Sequence, residues 1–399
     1  MRLKTGTKRR FSFTCGVLCA AFLLCAAYDA PGQVPMRYAW WYALEQGKQS
    51  FRSGAYGDAL MFFEDARRQR RSMYEQMERD FIDLLSLTPV RRMGDSLEKV
   101  DTYAREKRYD RAAAALDEAY FRYPKSSFND SALAVLDALG KMKDYPEAEY
   151  WIGETYRLEG ELTLAAAQFQ KAWDQRSLLE QNGFDTELLY KIADLRRVRQ
   201  EYNEMERTLL IILAGDSLWS AGDGGDVSLQ TSQSGARNAF IRSAMARTLE
   251  NEGIGRFLTL YRYTNTSVEQ AHRLLGIYYY ASGRYTRAQE HLMFAFLIQN
   301  SVIIEEVMRH EYDFSFANLG MDALLERIGG YPLIAEYVGK TDYYRTAYYL
   351  ACSLYGNGKT AVARNLWTFL SSGAPPGEWR NRAAVQLRQP QIERVVEMP

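Results

Sequence analysis

The 399-residue chain is predicted to be all-α, a solenoid of helical hairpins with degenerate repeats, and three observations carry that prediction. A five-point spacing recurs: a turn Gly, an aromatic residue or Leu two on, Ala at five, a large apolar residue at nine and a second Ala at twelve. A further small residue stands seven places before most of these turns. No stretch longer than a few residues alternates with period two, so no sheet is expected.

Residues 1–32 precede the fold. Arg2, Lys4, Lys8, Arg9 and Arg10 come before an uncharged apolar run from Phe11 to Ala27, the order of a secretory signal. Cleavage after Ala27 or Gly32 satisfies the small-residue rule. The competing reading retains residues 11–27 as a membrane tether, although 17 residues are at the short limit for a bilayer. Lipid attachment at Cys25 is opposed by the bulk of Leu24 before it. Three of the four cysteines lie in this segment. Only Cys352 remains beyond it, so no disulfide framework is expected.

The first repeat block covers residues 33–214. Its clearest unit is Gly54, Tyr56, Ala59, Phe63 and Ala66, followed by a looser Tyr109, Ala112, Leu116 and Ala119 closed by Pro124, and then by Gly160, Leu162, Ala165, Phe169 and Ala172. Steps of three and four keep the Ala and Phe positions on one helical face. Gly47 and Gly153, seven residues ahead of their turns, supply a small contact on the preceding helix. Each unit is therefore read as a hairpin. Thr88-Pro89 breaks the pattern, and Pro146 sits where a helix starts.

Residues 215–235 are rich in Gly, Ser and Asp and read as a linker. Asp216, Asp223 and Asp226 lack the spacing of a calcium loop, so a solvated loop is expected. The second block, residues 236–399, repeats the spacing at Gly283, Tyr285, Ala288, Leu292 and Ala295, and more loosely at Gly358, Thr360, Ala363, Trp367 and Leu370. Gly276 and Ala351 stand seven residues ahead. Residues 303–337 are helical in period but do not match the unit, with a break at Gly329-Gly330-Tyr331-Pro332.

On these residues the chain resembles the tetratricopeptide repeat family, over about half of its length. The aligned alanines at 59, 112, 165, 288 and 363 depart from that family's repeat length of about 34 residues, so additional helices are expected between the units. The resemblance implies a right-handed superhelix whose first helices line a concave protein-binding groove. Transferred onto this sequence, the groove residues are Lys48, Phe51, Arg52, Glu154, Arg157, Arg273, Ile277, Tyr280, Tyr348 and Tyr355. The clamp that some members use for acidic chain ends needs Asn where Lys48, Asp101, Glu154, Ile277 and Cys352 stand, so that specificity is not implied.

Little else points to chemistry. Gly356-Asn357-Gly358-Lys359-Thr360 ends like a phosphate loop, but Ser353 stands where a Gly is needed and a helix precedes it. His272, His291 and His310 have no second His at ligand spacing, and Glu306 with His310 reads as a surface pair. Arg67-Arg68 with Arg70-Arg71, and Arg196-Arg197 with Arg199, are read as complementing helix C-termini. Cys352 is read as a packed thiol. No catalytic, cofactor or metal residue is assigned. Removing residues 1–32 leaves 45 basic against 49 acidic residues, which argues against nucleic acid. Residues 121–128, Phe-Arg-Tyr-Pro-Lys-Ser-Ser-Phe, resemble the inter-repeat segment of envelope repeat proteins engaged in outer-membrane or cell-wall assembly. The expectation is an exported, periplasmic or membrane-tethered scaffold that binds protein partners in a bacterial envelope and is not an enzyme. The alternative is a helical accessory to, or member of, a cell-wall glycan-processing system, which would need a compact catalytic domain with a cleft-placed Glu.

Overall fold

The computed structural model describes residues 39–86, 95–122, 127–179, 183–219, 229–393 and 395–398. Residues 1–32, read as an export signal, the Thr88-Pro89 break, Tyr123-Pro124 and the middle of the segment read as a linker lie outside the described residues. Among the described residues every regular element is helical and no strand occurs. The chain divides into two compact units between Leu188 and Leu189.

In the first unit α1 (Trp40–Arg52) pairs with the long α2 (Tyr56–Ser86), α3 (Asp95–Arg105) with α4 (Tyr109–Arg122), and α6 (Pro146–Leu158) with α7 (Leu162–Asp174). Pro146 occupies the first turn of α6, with Glu147 and Glu149 beside the positive end of its dipole. An additional helix, α5 (Ser127–Met142), packs on α4 and α2, and α8 (Phe184–Val198) crosses the division. The two halves of α2 serve different cores. Ala59, Phe63 and Ala66 pack with Ala43, Leu44 and Ile152, whereas Tyr74, Met77 and Phe81 pack with Val100, Leu116 and Leu136.

The second unit continues with α9 (Tyr202–Ala214), α10 (Leu229–Leu260), α11 (Glu269–Ala281), α12 (Tyr285–His310), α13 (Phe316–Ile328), α14 (Pro332–Lys340), α15 (Tyr343–Gly356), α16 (Thr360–Gly373) and α17 (Glu378–Arg388). α11 pairs with α12 and α15 with α16, while α12 also packs on α15 and α17 covers α16. α10 is interrupted at Gly253 and α13 at Gly320, both with positive φ. By length and composition α12 could cross a membrane. However, 78% of its qualifying stretch is buried within the fold, as in a core helix.

Six turns among the described residues share one geometry. At Gly54, Lys107, Gly160, Gln200, Gly283 and Gly358 φ lies between 57° and 83°. In each, the N–H of that residue bonds the carbonyl three back and the next N–H the carbonyl five back, as in Gly160 to Arg157 and Glu161 to Tyr156, which is a Schellman closure. Lys107 and Gln200 adopt it without being glycine. The residues five and nine beyond every turn are buried: Ala59 and Phe63, Ala112 and Leu116, Ala165 and Phe169, Met205 and Leu209, Ala288 and Leu292, Ala363 and Trp367. The unit at Gln200, Tyr202, Met205, Leu209 and Ile212 has no Gly or Ala at its marker positions, so the spacing search does not find it.

The small residues seven places before the turn are explained by contact. A Cβ on Gly153 would lie 2.8 Å from the Phe169 ring, and one on Gly276 would lie 2.5 Å from Leu292 Cγ. Gly47 faces Phe63 in the same way.

Three sequence readings are corrected. Residues 229–235, read as linker, are helical within α10; their mostly polar sequence carries no apolar period that would reveal it. Asp216 is buried rather than solvated: its carboxylate accepts bonds from the Tyr263 hydroxyl, from Asn265 at 3.1 Å and from the Leu218 N–H at 2.7 Å. Arg67 to Arg71 lie in the middle of α2, too far from either end for the dipole to explain them. Arg196 and Arg197 do fall in the last turn of α8.

Candidate functional site

In the first unit, Lys48 donates to Glu45 at 2.6 Å and lies 5.9 Å from the Trp151 ring centre. Phe51 meets Trp151 edge-on at 5.3 Å. Arg157 forms a bidentate pair with buried Glu154, at 2.9 and 3.1 Å. Arg52 is exposed. The structure thus gathers Lys48 and Phe51 around Trp151, a residue that the sequence reading did not select.

A cleft of about 610 Å³ in the same unit is lined by Arg67, Arg68, Arg70, Arg71, Lys107, Lys143 and Lys171 together with Glu64, Glu75, Asp144 and Glu149. Much of its positive charge is met internally. Arg67 reaches buried Glu149 at 3.2 Å, Lys171 pairs with the same carboxylate, and Arg71 pairs with Glu75 at 3.0 Å. Arg70 is buried with its guanidinium over Trp40 and Tyr145, at 4.7 and 4.4 Å.

In the second unit the expected groove positions are covered. Ile277, Tyr280 and Tyr348 have at most 1% of their surface exposed, which corrects the expectation that they line an open wall. Ile277 lies on α11, which packs on α12 and α15. Arg273 is held by Glu269 at 3.3 Å and Asp342 at 3.0 Å. Tyr280, Tyr348 and Tyr355 do converge, and what they meet is residues 390–393, extended chain following α17. The Tyr355 hydroxyl donates to the Pro390 carbonyl at 3.4 Å, Tyr348 donates to the Glu393 carboxylate, and the Glu393 N–H donates to the Tyr280 hydroxyl at 3.1 Å. Burial raises the pKa of both Tyr280 and Tyr348, so they act as neutral hydroxyls.

α17 completes this arrangement with residues that no repeat position could have indicated. The amide of Gln386, 1% exposed, donates to the Gln391 carbonyl at 3.0 Å and accepts from the Gln391 N–H at 2.8 Å. Arg382 pairs with Glu393 and lies over the Trp379 and Tyr348 rings, each at 4.9 Å.

A second unforeseen cluster is buried. His272 Nδ1 and His291 Nδ1 are 3.0 Å apart, both rings buried, with Trp219 stacked on His291 at 4.6 Å. One imidazole must donate and the other accept, so the two cannot both be protonated. Burial drives the pKa of His272 well below the usual range and that of His291 down to about 3. Their separation of 19 positions hid them, because the contact depends on helix pairing. No group of three metal-ligating residues occurs among the described residues. Cys352 is buried, its thiol pushed up to about 12 by burial. Lys359 of the phosphate-loop lookalike pairs with Glu250 at 2.7 Å, and Gly358 forms the hairpin turn. Glu306 and His310 form a surface pair at 3.2 Å.

No family model matches the chain. It is similar to an uncharacterized protein of Treponema pallidum (strain Nichols), 24% identical over 383 residues that span 94% of this chain and 97% of that protein. It is also similar to an uncharacterized protein of Borreliella burgdorferi, 25% identical over 270 residues that span 64% of this chain and 82% of the relative.

Proposed function

We propose that the chain is an exported, non-catalytic scaffold of tetratricopeptide-like hairpins, arranged as a solenoid, that binds protein partners in a bacterial envelope. The observation that carries this reading is the recurrence of one hairpin turn at six positions with the same buried contacts around it. Such a unit buries its apolar face only by stacking on neighbours, and stacked units create long surfaces suited to other chains. The convergence of Tyr280, Tyr348 and Tyr355 on an extended stretch of polypeptide adds support, since aromatic hydroxyls and guanidinium groups dominate protein recognition. Export rests on the basic start and the apolar run of residues 11–27, and the anchored form differs only in whether that run is retained.

The test has two parts. Cell fractionation with mass spectrometry of the native N-terminus should place the protein in the envelope; full-length protein free in the cytoplasm would overturn export. Affinity capture from envelope extract, by the full-length protein, should recover a partner lost on substituting exposed residues such as Arg52. Absence of any specific partner would overturn the scaffold reading.

A further inference from the structure

We propose that α11, α15 and α17 form a seat for an extended peptide bearing a glutamate, and that residues 390–393 occupy this seat in cis as a stand-in for a partner segment. The inference rests on the scaffold reading and adds to it the chemistry of the partner.

The way residues 390–393 are held is that of a ligand. Their backbone is read by side chains: Pro390 O by Tyr355, both polar backbone groups of Gln391 by the single buried amide of Gln386, and Glu393 N–H by Tyr280. Contacts of this kind recognise extended chain whatever side chains it carries. Specificity enters at one point, where the Glu393 carboxylate receives Tyr348 on one oxygen and Arg382 on the other. Charge-assisted bonds of this type are the strongest in the set. Arg345 adds a bond to the Glu397 carbonyl.

Hydrophobic burial does not lock the segment in place. Ile392 is 43% exposed and Val395 is 85% exposed, so the occupant is held mainly by polar contacts that a second peptide could duplicate. A tethered occupant competes at an effective concentration on the order of millimolar. Free peptide should therefore bind the intact protein weakly.

The experiment uses the full-length chain and a fluorescein-labelled synthetic peptide with the sequence of residues 388–398, followed by anisotropy. Glu393→Ala weakens the occupant in cis and should tighten peptide binding by about tenfold or more. A peptide with Ala in place of its first glutamate, or Arg382→Gln added to the Glu393→Ala chain, should abolish that gain. No saturable binding to a Glu393→Ala chain that melts cooperatively, or equal binding of both peptides, overturns the proposal. Should Glu393→Ala fail to fold, a protease site inserted after Gln389 allows cutting once the wild-type residues have folded. Replacement of the cut segment by labelled peptide supports the seat, and loss of helix on cutting overturns it. Partner capture from envelope that survives Arg382→Gln would leave the scaffold reading standing and overturn this seat alone.

Discussion

The two units repeat one hairpin but fill their interiors differently. In residues 39–188 the turns fall evenly at positions 54, 107 and 160, and the contacts around them are Ala against Phe or Leu. Many of its charged groups line an open cleft, buried Arg70 and Glu149 among them. In residues 189–398 the turns fall unevenly at 200, 283 and 358. There, His272, Gln299, Asn300, Ser301 and Thr346 are fully buried among the apolar residues. Gln299 reaches Glu269 at 2.7 Å, and Tyr343 donates to Asn300 at 2.9 Å. Small and aromatic residues suffice to form the hairpin. Buried polar groups, costly unless partnered, tie the second unit to one arrangement.

The shared part of the comparison predicts the largest effect. Phe169→Ala in the first unit and Trp367→Ala in the second occupy the same hairpin position and should each destabilise by about 3–5 kcal/mol in urea melts. A loss confined to one unit would break the equivalence.

The differing part predicts a pH effect carried by the second unit. The folded pKa of His291, about 3, lies below the unfolded value of about 6.5, so the unfolded chain takes up protons first as pH falls. The contribution is present above about pH 6.5 and is lost toward pH 3, with about 2 kcal/mol lost between pH 7 and pH 5. His272 adds in the same direction. Urea melts at the two pH values should show the loss, and His291→Phe should reduce it; an unchanged slope in that variant would place the titration elsewhere.

Packing at the small residues distinguishes the units more finely. Ala165→Leu and Ala288→Leu should each destabilise by roughly 1–3 kcal/mol through overpacking. The second should lie at the upper end, because α12 is also packed on α15. Equal, negligible changes in melting would contradict the register of both hairpins.

The hairpins at Gly54, Gly160, Gly283 and Gly358 were legible because glycine is the residue most at ease in the left-handed turn and alanine suits the close contact, which together leave a visible spacing. The unit at Gln200 was not. Met205 and Ile212 are buried where most of the other units carry Ala, and the left-handed turn falls on a residue type that carries no such mark. Choosing residues by the inward face found Tyr280, Tyr348 and Tyr355, which meet at one place. It could not show that residues 390–393 cover them, because that contact spans 113 positions at Tyr280 and follows no helical period. Arg382 and Gln386 escaped for the same reason, as did the His272–His291 pair.

The most direct test of the claim that one turn recurs six times is also the smallest in energy. Lys107→Gly and Gln200→Gly should each stabilise by about 0.5–1 kcal/mol, because relief of a left-handed conformation worth about 1–2 kcal/mol exceeds glycine's added unfolded-state entropy of about 0.5–1 kcal/mol. Gly160→Ala, at the equivalent position, should destabilise by about 1 kcal/mol. Urea melts of the three variants should therefore give gains at Lys107 and Gln200 and a loss at Gly160. Losses at all three positions would contradict the account.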